Sequence, residues 1–397
     1  MTVDYIETTR EPSTTKKALL VGISYTDGTQ VDGYVLDPIP TSTQNVEMFK
    51  NFIQERWGYT DITVMTDEAE VEERLRPTKA NLERELKALR RGVNTGDRRV
   101  FYYAGHSDQL PCQTGSEEDD LDETLISVDG FKIRDNMLHN ILVKNLPIGS
   151  TLTAIVDSCH SGTMLDLGHY RCNSVYYPWV NKGKRNSKSR CNTVVRRDGM
   201  VTRPKALDQP RSRMGSGEGD LPSPSIFGFM HSEIPLSDGD LNTYTEQRCM
   251  SPERQFCDGW CRDRKQRKES QHAEVISISS SNDHQISWDV TRNGDVVSMT
   301  SSLIEILNGS VSPPWIDIPV ERTSSEQRPQ ITYAQLMTRL NHKVHSYTMD
   351  MHRYYREKRR VHRAEGTKPE DEYEMDNFQD LQLGSLSPLD MGRIFEL

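Results

Sequence analysis

Two apolar runs in this chain each stop at small residues and then present a reactive side chain. Phe101-Tyr102-Tyr103-Ala104-Gly105-His106 ends in a histidine. Thr153-Ala154-Ile155-Val156-Asp157-Ser158-Cys159-His160-Ser161-Gly162 leads into a cysteine. Short continuous apolar runs rich in β-branched and aromatic residues read as buried strands. A thiol and an imidazole at the ends of neighbouring strands make a nucleophile that carries its own proton acceptor. Packing alone does not ask for the small, polar knot from Asp157 to Gly162, so the pair is more telling than either run by itself.

The rest of the pattern supplies the scaffold. Ala18 to Ile23 is a third continuous apolar run, and Ile62 to Met65 a fourth. Val46, Phe49, Phe52 and Ile53 recur at helical spacing within 43–56, and Leu82, Leu86 and Leu89 do so behind Thr78, a helix-capping residue. Residues 135–143 read as a short helix between the histidine and cysteine strands. Strands alternating with helices predict an α/β fold with a mostly parallel sheet. In such sheets the functional groups sit beyond the carboxyl ends of the strands, where His106 and Cys159 both lie.

Residues 170–272 break this alternation. From Asn181 to Arg213 there are eleven Lys or Arg against two acids, and 211–224 is rich in Gly, Ser and Pro. The composition predicts a disordered insertion, with a loose tail at 1–16. Order returns at Ala273–Ser279, followed by helices over about 298–308 and 332–364; Phe378 to Leu397 reads as loop. The expected division is therefore a catalytic segment at 17–169 and a second segment at 273–397 that completes the sheet.

Bulk properties narrow the class. A formal charge of −10 argues against a dedicated nucleic-acid binder. No apolar run is long enough to span a membrane, and the first residues carry no secretory signal pattern. Seven cysteines in 397 residues are sparse and odd in number, which fits a reducing cytoplasm or nucleus rather than a disulfide framework. Cys249, Cys257, Cys261 and His272 have poor spacing for zinc.

On these residues the chain resembles the type I metacaspases of fungi, caspase-like cysteine peptidases. The resemblance rests on Lys17-Ala18-Leu19-Leu20-Val21-Gly22-Ile23, the histidine run, Asp119-Asp120-Leu121-Asp122-Glu123-Thr124, Val128-Asp129, and the cysteine run through Asp166. It implies a caspase-like three-layer αβα sandwich. It implies Cys159 as nucleophile, His106 as general base and acid, and the N–H groups of Cys159 and Ser107 as oxyanion donors. Asp37 and Asp157 match acids that line a pocket for a basic side chain. Asp129 and Asp166 match carboxylates of a calcium site, with Asp119, Asp120 and Asp122 as further candidates. The resemblance further implies cleavage of proteins or peptides after Arg or Lys, calcium as activator, monomeric behaviour and a role in stress or death-like responses.

Four positions depart from the family pattern. Ser107 stands where glycine is usual, Ala104 where serine is, Tyr34 where cysteine is, and His284 where an aspartate is; Asp283 beside it is retained. Ser107, Ala104 and Tyr34 fall at the expected oxyanion and substrate sites, which supports a competing reading: a weakly active or inactive scaffold, or a protein-quality-control binding protein. The acid-lined pocket predicts selection of Arg or Lys, because paired carboxylates need a cation between them. Lys184-Arg185 and Arg196-Arg197 in the insertion would then be self-processing sites.

Overall fold

The computed structural model describes residues 14–113, 120–170, 172–175, 272–282, 287, 290–292, 295–309, 330–367 and 379–397. The expected tail up to residue 13, nearly all of the 170–272 insertion with both dibasic pairs, and Asp119, Asp283 and His284 lie outside these residues.

The continuous apolar runs become central strands because they are buried on both faces. β1 (Lys16–Gly22), β4 (Asp61–Thr66), β5 (Arg98–Ala104), β9 (Thr151–Asp157), β10 (Glu274–Ser279) and β13 (Gln382–Ser385) form one sheet in the order β13-β10-β9-β5-β1-β4. All pairings are parallel except β10 with β13. Alternation sorts the side chains. Ala18, Leu20, Val100, Tyr102, Ile155, Ile276 and Ile278 enter one core; Leu19, Val21, Phe101, Tyr103, Ala154, Val156 and Val275 enter the other. Each fully buried large apolar side chain contributes roughly 1.5–3 kcal/mol relative to exposure.

Helices cover both faces, as an αβα sandwich requires. α1 (Thr41–Trp57), α4 (Met299–Leu307) and α5 (Tyr333–Glu365) pack on the first face, and α2 (Lys79–Arg90) with α3 (Asp135–Leu138) on the second. α1 stops at Gly58, which takes the left-handed conformation (φ 67°) that a glycine adopts without steric cost. The Thr78 side chain accepts the Asn81 N–H at the start of α2. The helix expected over 135–143 is split: α3 is a single α-turn and 139–143 continues as a π-turn. Among the described residues no helix is long and apolar enough to cross a membrane.

Several elements differ from expectation. β2 (Gln30–Val31) and β3 (Tyr34–Val35) form a hairpin, and β6 (Ser107–Pro111), β7 (Leu121–Ile126) and β8 (Lys132–Arg134) form a small antiparallel sheet above the carboxyl edge of the main one. β11 (Val290–Arg292) and β12 (Asp295–Val297) pair as a second hairpin. The stretch at 378–397, expected to be loop, contributes β13. Phe395 from the same stretch is buried against Tyr333, with ring centroids 5.4 Å apart.

Candidate active site

The register of the sheet sets the two reactive side chains level. Ala104 at the end of β5 pairs with Asp157 at the end of β9. His106 and Cys159 each follow two residues later, on strands that run side by side about 4.8 Å apart. The two loops are also bonded: the Ser107 hydroxyl donates to the Cys159 carbonyl. Ser107 is not among the residues with positive φ, so this position does not demand glycine.

The cysteine loop is fixed by hydroxyls. The Ser158 carbonyl accepts from the side chains of Ser161 (2.9 Å), Ser280 (2.9 Å) and Ser281 (3.1 Å). The serine run after β10 therefore braces the turn that carries Cys159. His160 completes that turn in the left-handed region (φ 46°). The Ser287 N–H donates to Cys159 Sγ at 3.4 Å, and Sγ lies 3.9 Å from the Ser287 carbonyl. A backbone N–H aimed at sulfur favours the thiolate, the reactive form.

The imidazole is oriented from several sides. His106 Nε2 lies 2.7 Å from the main-chain carbonyl of Asp37. A carbonyl only accepts, so Nε2 carries the proton and Nδ1 offers a lone pair. The Tyr25 ring packs beside the imidazole, centroids 4.8 Å apart. Burial pulls the His106 pKa below the ordinary imidazole value, against the opposing effects of the Asp37 carbonyl and carboxylate. The arrangement sets a neutral imidazole on one loop and a half-buried thiol on the neighbouring loop bonded to it, residue types suited to nucleophilic attack on a carbonyl.

The residues expected to bind a basic side chain are placed in different ways. Asp157 is almost fully buried and faces the start of α4: Oδ2 accepts the Thr300 N–H (3.0 Å) and hydroxyl (2.6 Å), and Oδ1 accepts from the Ser287 hydroxyl (3.4 Å). Burial pushes its pKa up, partly offset by these bonds and one from Ser280. Asp37 is exposed, and what it brings to His106 is its main chain rather than its carboxylate. Tyr34 is exposed on β3, and Ala104 is buried at the end of β5.

The described acids proposed for calcium have separate partners. Asp129 caps α2, accepting the Lys79 N–H at 3.0 Å. Asp122 is ion-paired with Arg134 through Oδ2, while Oδ1 is buried with no hydrogen-bond partner among the described residues. Asp120 opens β7 with positive φ, and Asp166 follows the Cys159 turn, also with positive φ. Among the described residues no group of three or more His, Cys, Asp or Glu gathers to hold a metal ion. The orphaned oxygen of Asp122 suits a cation, but the described carboxylates alone do not make a site.

Sequence reasoning missed Tyr25, Ser287 and Thr300, and the main-chain role of Asp37. Only the alternation along β5, which turns Tyr103 toward the His106 side, gave any hint of the phenols.

Residues 16–168 match the family model described as Metacaspase, peptidase C14 domain. Metacaspase-1 of Debaryomyces hansenii is 28% identical over 330 residues, covering 80% of this chain and 64% of that one. Metacaspase-1 of Mycosarcoma maydis is 29% identical over 330 residues, covering 81% and 65%. Metacaspase-1 of Cryptococcus neoformans var. neoformans is 41% identical over 159 residues, covering 38% and 33%. The chain thus spans less than two thirds of the length of these curated relatives. A solved protein of Geobacter sulfurreducens overlays with a TM-score of 0.41 at 18% identity, covering 83% of this chain and 89% of its own, too loosely to inform the site.

Proposed function

We propose that this chain, whose residues 16–168 match the metacaspase peptidase C14 model, is a cysteine endopeptidase that cuts after Arg or Lys. The observation that carries the reading is the level placement of Cys159 and His106 at the ends of paired strands, with their loops joined by the Ser107–Cys159 bond.

In this mechanism His106 Nδ1 takes the thiol proton as sulfur attacks the scissile carbonyl. The oxyanion that forms is stabilised by the N–H groups of Cys159 and Ser107, worth about 3–4 kcal/mol each where such donors are preorganised. The imidazolium then protonates the leaving amine, and water hydrolyses the thioester with His106 again as base. The Asp37 carbonyl keeps the ring in the required tautomer throughout, so no orienting carboxylate is needed.

Arg or Lys selection is supported by the chemistry of Asp157. A buried carboxylate raised in pKa is stabilised by a cation entering its pocket. Asp37, exposed nearby in sequence to the His106 contact, would supply the outer charge. Calcium stimulation is supported by the Asp122 oxygen that has no hydrogen-bond partner among the described residues, and self-processing by the dibasic pairs Lys184-Arg185 and Arg196-Arg197. The cell compartment proposed is cytoplasm or nucleus, the working state a monomer, and the setting death-like responses.

The test is a panel of fluorogenic peptides with Arg, Lys, Asp or Asn before the cut, run with and without millimolar calcium. Hydrolysis of the Arg and Lys peptides, lost in Cys159→Ala and in His106→Ala, is the expected result. Absence of hydrolysis in every arm, with Cys159 inert to a thiol label, would leave the scaffold reading in its place. Loss of fragments on a gel when the dibasic pairs are changed to Ala tests self-processing.

A further inference from the structure

We infer that Tyr25 and Tyr103 are positioning residues that hold the His106 peptide by their phenol oxygens; the inference rests on the Cys159/His106 reading. The His106 N–H donates to the Tyr25 hydroxyl (3.1 Å), and the Tyr103 hydroxyl donates to the His106 carbonyl (2.6 Å). Each phenol has one proton to give. Tyr25 gives its own to the Ile126 carbonyl (2.6 Å) on β7, and the two phenol oxygens lie 3.1 Å apart. The Ile126 N–H returns to the His106 carbonyl (3.1 Å), which closes a ring of bonds around one loop residue.

Core filling does not account for this arrangement. Two phenylalanines would occupy the same space without any of the phenol bonds. The arrangement is also imposed at a local cost. Tyr25 holds a left-handed backbone (φ 54°), unusual for a bulky side chain. It is kept there by Asp67, whose carboxylate accepts the N–H groups of Tyr25 (2.7 Å) and Ser24 (2.9 and 3.0 Å) and the Ser24 hydroxyl (2.8 Å). Gly105 leaves room for the phenols: a Cβ there would lie 2.8 Å from the Tyr103 oxygen and 3.0 Å from the Tyr25 oxygen. Burial raises the pKa of both phenols, so they remain protonated donors across the working range.

Tyr25 acts twice on the same histidine. Its oxygen fixes the His106 backbone, and its ring packs beside the imidazole (centroids 4.8 Å apart, tilted by 46°), so the ring plane that offers Nε2 to Asp37 is set with the peptide. On the proposed dyad, a small rotation of this peptide would misdirect Nδ1 as the proton acceptor without altering the substrate pocket. The loss should therefore appear in kcat rather than in KM.

The experiment uses the full chain with Tyr103→Phe and Tyr25→Phe, and Tyr59→Phe as control. Tyr59 is a buried tyrosine whose hydroxyl has no hydrogen-bond partner among the described residues. Two readouts are taken: kcat and KM on an Arg peptide, and the rate at which iodoacetamide alkylates Cys159 from acid to alkaline pH. The first two variants should lose roughly tenfold to a hundredfold in kcat with little change in KM. Their alkylation profiles should lose the inflection that His106 gives the wild type, and Tyr59→Phe should change neither readout. Unchanged kcat and profile in folded Tyr103→Phe, with or without a lower Tm, overturn the inference. If Tyr25→Phe does not fold, Tyr103→Phe decides alone. If the wild-type profile has no inflection that vanishes in His106→Ala, the dyad reading itself fails and takes the inference with it. An inflection kept in the wild type and in both Phe variants sinks the inference alone.

Discussion

The imidazole of His106 is oriented by the main-chain carbonyl of Asp37, 2.7 Å from Nε2 and 69 positions earlier in the chain. The carbonyl fixes the tautomer, and burial outweighs the pull of the Asp37 carbonyl and carboxylate toward the imidazolium. This leaves His106 as a neutral base rather than a standing cation.

That charge state sets the pH profile. Burial lowers the folded-state pKa, so neutral imidazole persists below the usual value of about 6.5. The acid limb of kcat/KM is expected to fall below that value, and the limb should move upward in variants that expose the ring. The sign for stability follows by linkage. The unfolded chain takes up the proton first, so the contribution is complete above about 6.5 and is lost as pH drops toward the folded pKa. An acid limb well above 6.5 in a pH–rate titration would rule out this account of His106.

Asp157→Asn separates substrate selection from folding. The amide keeps an oxygen to accept from Thr300 and removes the charge. Activity on Arg and Lys peptides is expected to drop on the order of a hundredfold in kcat/KM, as when one member of a buried charge pair is lost. Stability should hold or rise near neutral pH. A raised folded pKa means that ionising this carboxyl works against the fold as pH climbs through the carboxylate range. Equal losses on Arg, Lys and Asn peptides would show that Asp157 supports the loop and does not select the substrate.

How much could be read from sequence follows from what each element buries. β1, β5 and β9 were legible because both faces are apolar, which leaves continuous runs. β13 was not, since Gln382-Leu383-Gly384-Ser385 holds one large apolar residue and pairs along the sheet edge. The β6–β8 sheet was invisible for a different reason. It is held by buried polar pairs, Lys132 with Asp108, Arg134 with Asp122 and Gln109 with Glu123, so no hydrophobic period marks it. The Cys and His were legible as residue types at strand ends. Their supports were not, because Asp37 acts through its main chain and Tyr25 reaches His106 from a loop 81 residues away.

Arg134 bears on the proposed calcium site. It neutralises Asp122, whose side chain is 3% exposed. In Arg134→Ala that carboxylate stays buried without its partner, at a cost of about 2–4 kcal/mol, reduced from a fully buried pair because Arg134 is partly solvated. Calcium should recover part of the lost Tm, and should do so more strongly than it stabilises the wild type. If calcium shifts the Tm of neither protein in a thermal melt, the acidic loop does not bind it and the activator proposal falls.

Tyr59→Phe tests the opposite kind of buried polar atom. Tyr59 is 1% exposed in the core beneath α1, and its hydroxyl has no hydrogen-bond partner among the described residues. Leaving a buried hydroxyl unsatisfied costs about 1–3 kcal/mol, and phenylalanine removes that cost while keeping the ring. The exchange should therefore raise Tm, by an amount equivalent to about 1 kcal/mol after the lost contacts of the oxygen are counted. At the paired phenols the same exchange removes satisfied hydrogen bonds, so Tyr103→Phe should lower Tm. Opposite signs for two tyrosines buried to the same degree would show that hydrogen bonding, not burial, decides what each hydroxyl is worth. A fall in Tm for Tyr59→Phe measured by calorimetry would mean that its hydroxyl is bonded after all.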